Sequence, residues 1–120
     1  MPFKFSVGLM AAVLGGCVAG GVRYVPVAGP TDLARGAERY PDLTASELAA
    51  GRTVLVARCS TCHQTPLPSS LSPGEWPAQV AEMKGRAHLD ASQRRAVERY
   101  LVTMALAAGN VTQSESGSSR

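Results

Sequence analysis

Between residues 44 and 108 the apolar positions recur at a helical period, and no stretch alternates as a strand would. Leu48, Val54 and Leu55 continue one helix from Thr44 towards Cys59. Trp76, Val80 and Met83 stand at i, i+4 and i+7, so they share a face of a second. Ala96, Val97, Tyr100, Leu101 and Met104 give a third its apolar stripe. Each run has a start signal. Thr44 with Glu47 and Ser72 with Glu75 read as capping boxes, in which a hydroxyl and a carboxylate satisfy free N–H groups reciprocally. Pro73 then falls at a first helical position, where its missing N–H costs nothing. Asp90 with Gln93 is a looser version. The prolines of "HQTPLPSSLSP" forbid a continuous helix between the first two runs. The expectation is an all-α domain of about three helices at 44–108.

The flanks have other patterns. "MPFKFSVGLMAAVLGGC" carries one cation, Lys4, then an apolar run and small residues, the layout of a secretory signal peptide over 1–16. Leu14-Gly15-Gly16-Cys17 resembles a bacterial lipobox, which implies cleavage before Cys17 and a diacylglycerol on its thiol. Val18 in place of Asp leans, in that resemblance, towards the outer membrane. The alternative is an uncleaved anchor helix, weakened by its glycines. Residues 17–43 are rich in glycine and proline and read as a lipidated cysteine and flexible tether, with a short helical piece around "TDLARGAERY". "GNVTQSESGSSR", 109–120, reads as a disordered tail.

Composition narrows the function classes. The net charge of +3 is spread among acidic residues without a basic stripe, so a nucleic-acid partner is not expected. Three cysteines make no disulfide framework. A domain of this size is short of core on its own, which draws attention to "ARCSTCHQ", 57–64.

Cys59, Cys62 and His63 fit three chemistries to different degrees. Structural zinc wants about four ligands; these are three, and the neighbours Cys62 and His63 are poorly disposed towards one tetrahedral ion. A reactive dithiol wants its first cysteine at a helix N-terminus, whereas Cys59 follows a helix. A plain Cys59–Cys62 disulfide in an exported protein is the bland alternative. Covalent haem uses all three residues: two thiols take the vinyl groups and His63 becomes the proximal iron ligand, in the C-x-x-C-H attachment pattern.

With those residues stated, the chain resembles the class I cytochromes c, over about residues 44–104. "AAGRTVLVARCSTCH" looks like that family's N-terminal helix running into its haem site, with Gly51 at the position of its helix glycine. Tyr100-Leu101 looks like the aromatic–aliphatic pair of its C-terminal helix, which packs on that glycine. "PGEWPAQVAEMKGRAHL" is similar to short bacterial modules with a W-x-x-x-V-x-x-M segment. The resemblance implies a small cytochrome c-like fold around one haem c, bound through Cys59 and Cys62, with iron held by His63 and by Met83 as distal ligand; His88 is the alternative and Met104 a third choice. A carbonyl of Pro66 or Pro68 would orient His63, and Trp76 would pack on the haem or reach a propionate, as would Arg52, Arg58 or Arg86. The expected activity is single-electron transfer without substrate chemistry, at the periplasmic side of a bacterial membrane and with periplasmic or membrane redox proteins as partners. The competing expectations are a haem sensor or small haem enzyme with an open distal site, and a haemless structural lipoprotein.

Overall fold

The computed structural model describes residues 24–60 and 64–117, with side chains described to 109. Among them there are four α-helices and no strand: α1 (Pro30–Arg39), α2 (Ala45–Arg58), α3 (Trp76–Met83) and α4 (Ala91–Gly117). A short 3₁₀ turn, Pro68–Ser70, lies between α2 and α3. The fold is all-α, as expected, with one helix more than the three of the sequence reading. The long α4 is its axis, touched by α1, α2, α3 and the 3₁₀ turn. That explains why Val102, Thr103 and Ala105 are buried beside the expected stripe of Ala96, Val97, Tyr100, Leu101 and Met104.

The extra helix corrects the expected tether. Pro30 opens α1 at a first-turn position, and the Asp32 carboxylate accepts a 2.8 Å hydrogen bond from the Gly29 N–H. These local signals hold the helical piece that the sequence suggested. What the pattern did not suggest is its packing. Gly36 is buried, and a Cβ there would sit 2.6 Å from Thr103 Oγ1 and 2.5 Å from a Leu43 methyl, so α1 approaches α4 closely. Val25 is 1% exposed, and the Tyr100 hydroxyl donates to the Pro26 carbonyl at 2.5 Å. The folded part therefore starts by Val25, not at residue 44. At the other end, the backbone of α4 is helical to Gly117, through much of the stretch expected as a disordered tail.

The three expected caps differ in outcome. At α4 both halves form: the Gln93 N–H donates to Asp90 at 2.8 Å and the Asp90 N–H to Gln93 at 3.1 Å. At α2 the Thr44 hydroxyl accepts from the Glu47 N–H, but the Glu47 carboxylate turns away to Arg95 and Arg99, each at 3.0 Å. Arg99 adds Asp42 at 3.1 Å and stacks over Tyr40, 4.9 Å from the ring centre. At Ser72 the carboxylate of Glu75 closes a turn, and α3 begins only at Trp76.

α2 and α4 cross at Gly51. A Cβ there would stand 2.6 Å from Tyr100 Cβ and would overlap the Ala96 carbonyl. The backbones can meet only because position 51 has no side chain. The expected pairing of Gly51 with Tyr100 is therefore the contact that sets this crossing.

Candidate cofactor pocket

The crossing of α2 and α4 leaves a space on one side, and α3 with the loop before it covers that space. The result is an apolar cavity of about 350 Å³, at the lower end of the range of small-molecule and cofactor sites. Leu55 and Cys59 come from α2, Val97 and Leu101 from α4. Trp76, Val80 and Met83 come from α3, which confirms the shared face read from their spacing. Pro66, Leu71 and Leu89 complete the apolar wall, and Ser70 and Gln79 are its polar members.

Cys59 caps α2. Its N–H donates to the Leu55 carbonyl at 3.0 Å, and its half-buried thiol is free. Burial pushes that thiol above its ordinary pKa. The C-terminal end of a helix opposes a thiolate as well. Both effects argue against an activated dithiol here. Next to it, the Ser60 hydroxyl donates back to the Val56 carbonyl and keeps the chain close to the last turn of α2. Cys62 and His63, like Cys17, lie outside the described residues.

Beyond the motif the chain is pinned again. Thr65 is 1% exposed, and its hydroxyl has no hydrogen-bond partner among the described residues. Pro66, adjacent, is part of the cavity wall. The buried Trp76 donates its indole N–H to the Pro68 carbonyl at 2.9 Å. That bond corrects the suggestion that Trp76 reaches a propionate: the donor is already used, and its ring is fixed as wall. It also engages the Pro68 carbonyl.

The distal candidates separate by position. Met83, half-buried at the end of α3, lines the cavity. His88 is exposed, in the left-handed region at φ 53°, and does not line it. Its N–H bonds Gly85 and the Leu89 N–H bonds Lys84 at 3.0 Å, the paired bonds of a Schellman stop with His88 at the position usually held by glycine. Met104 is buried in the core and does not line this cavity. Arg52 is used elsewhere, its Nε donating to the Val25 carbonyl at 2.9 Å. Arg86 is exposed in the turn after α3.

Leu89 and Gln79 are wall residues that the sequence reading missed. Gln79 is three residues from Trp76 and four from Met83, so helical spacing alone puts it on their side of α3. Among the described residues no cluster of three or more histidine, cysteine or acidic side chains could hold a metal by itself. No family model, curated protein or solved structure gives a significant match to the chain.

Proposed function

We propose that this chain is a membrane-tethered c-type cytochrome that passes single electrons on the periplasmic side of a bacterial membrane. The observation that carries the reading is that Cys59 and Met83 line one apolar cavity. A cysteine of the attachment motif and the first-choice distal donor, 24 residues apart in sequence, thus belong to the same wall.

The residues present fit haem c. The wall is apolar where a porphyrin would lie, and it offers a thiol and a thioether sulfur. Cys59 and Cys62 would each add across one vinyl group, sulfur bonding to one carbon and the thiol hydrogen going to the other. His63 and Met83 would hold its iron through a nitrogen and a sulfur, a ligand pair usual for cytochromes c. Bound, haem c supplies a one-electron iron couple. Leu55, Val97 and Leu101 exclude water from it, and Trp76, held by Pro68, keeps α3 in place. Redox proteins of the same membrane are the proposed partners, and the lipid on Cys17 keeps the carrier among them.

The test is production in a bacterium with haem-maturation machinery. The purified protein is expected to show a c-type pyridine haemochrome spectrum and a mass increased by one haem. Wild-type protein without either would sink the reading. In Met83→Ala, the near-infrared charge-transfer band of methionine-ligated ferric haem is expected to vanish. A wild-type protein that never shows the band would favour the open-site sensor.

A further inference from the structure

We infer that the chain carries a membrane-contact surface, formed by Tyr24 and Val27 with the groove behind them, that lies on the lipid bilayer holding Cys17. The inference rests on the lipoprotein reading of Cys17. Among the described residues, Tyr24 at 79% and Val27 at 67% are the exposed large apolar side chains, and they stand in one short segment. Beside them is a second cavity of about 340 Å³, lined by Tyr24, Pro26, Leu67, Pro68, Met104 and Ala107 among others, with no charged residue in its wall. It is separate from the cofactor pocket, whose lining shares none of these residues.

The occupant follows from the leash. Because Val25 and α1 belong to the folded part, at most six residues of sequence, 18–23, separate Cys17 from Tyr24. Even fully extended at ~3.5 Å per residue, that stretch spans about 25 Å from Cys17 to Tyr24. An anchored domain stays within about that distance of the bilayer, and the described chain begins at Tyr24, in the apolar patch. Tyrosine suits the lipid–water boundary, where one end of its ring is dry and the other wet. Arg52 is bound to the Val25 carbonyl, so a cation stands at the edge of the patch, as anionic headgroups favour. The nearby carboxylate of Asp32 is neutralised by Arg35 at 3.0 Å. One tyrosine and one valine bury too little surface to bind alone. The covalent lipid makes the contact effectively intramolecular, and a weak patch then suffices.

The experiment uses the full mature protein purified from membranes and reconstituted in vesicles of phosphatidylethanolamine and phosphatidylglycerol. Tyr24→Trp places a fluorophore at the patch, and the buried Trp76 of wild type is subtracted as background. The variant is expected to emit at shorter wavelength in vesicles than in detergent-free solution of a form lacking Cys17. Quenching is expected to be stronger from spin-labelled lipids with the label near the headgroup than from those labelled deep in the chain. Adding Val27→Ser should weaken both signals while the fold, followed by circular dichroism, is kept. If the mass shows diacylglycerol on Cys17 and the emission stays that of a solvent-exposed indole, the docking inference is overturned and the anchor reading stands. If the mass shows no lipid, both fall.

Discussion

Gly51 and His88 occupy opposite kinds of site, and each makes a prediction. At Gly51 the obstacle to a side chain is the Ala96 carbonyl, which belongs to the backbone of α4 and cannot rotate away. Gly51→Ala is therefore expected to destabilise the protein by about 1–3 kcal/mol, the usual cost of overpacking, despite alanine's better helix propensity. Denaturant unfolding measures it. Gly36→Ala should cost less, because it meets the Leu43 and Thr103 side chains, not backbone. His88 is the reverse case, a residue with a side chain where glycine is at ease. His88→Gly should stabilise the fold by about 1 kcal/mol, the cost of a left-handed residue with a Cβ, and leave the spectrum of the proposed haem as it was. A spectrum that changes would mean that His88 reaches the iron. Thr103 offers a third case: its hydroxyl is buried without a partner among the described residues. Thr103→Val keeps the shape and removes that hydroxyl, so stability should hold or rise by about 1 kcal/mol. Gly51 was legible in the sequence because the resemblance to the class I cytochromes c pairs it with Tyr100-Leu101 at a helix crossing. His88 was not, because a left-handed stop is written normally with glycine and here the loop geometry, not the residue type, imposes it.

Between elements, Tyr100 is the joint on which α2, α4 and the segment before α1 converge. Its side chain is fully buried, its hydroxyl bonds Pro26, and burial, the largest cause, raises its pKa from 10 to about 12. The folded protein thus keeps the phenolic proton to a higher pH than the unfolded chain does. The stability linked to it is complete below pH 10 and is lost as pH rises towards about 12. Tyr100→Phe should remove that alkaline step and cost about 1 kcal/mol at neutral pH for the lost hydrogen bond, with unfolding followed across the pH range as the check. On the acid side, the Arg99 guanidinium holds the exposed Asp42 carboxyl below its ordinary range; the Ser72 hydroxyl and N–H do the same for Glu75, and the Gln93 N–H for Asp90. Their contribution is present at neutral pH and lost as pH falls through those lowered values. The same scale shows where sequence patterns ran out. Three helices were readable because each carries an apolar stripe and a start signal. α1 was readable as a helical piece but not as part of the core, since it is buried through Gly36, a position that no hydropathy pattern marks. Glu47 looked like half of a capping box, yet two arginines on α4, distant in sequence, compete for it and win.

At the scale of the molecule, the helices form a frame around α4 and the apolar cavity is the interior that the frame leaves over. Its wall residues were partly legible: the CxxCH motif and the Trp76–Val80–Met83 face both led to it. Ser70, Leu71 and Leu89 were not, because they reach the wall through turns whose path depends on tertiary packing. None of the described helices is long and apolar enough to cross a membrane. The origin of the wall also has a consequence in time. Leu55 and Cys59 come from an early helix, Val97 and Leu101 from the last one. About 40 residues of sequence separate the two halves of the wall, so the pocket closes only when α4 docks on α2. Until it does, Cys59 stands on an open chain within reach of a modifying enzyme; once α4 docks, the thiol is half-enclosed and holds its proton more firmly. Chemistry at that cysteine therefore has a deadline, set by the arrival of the helix that closes the pocket.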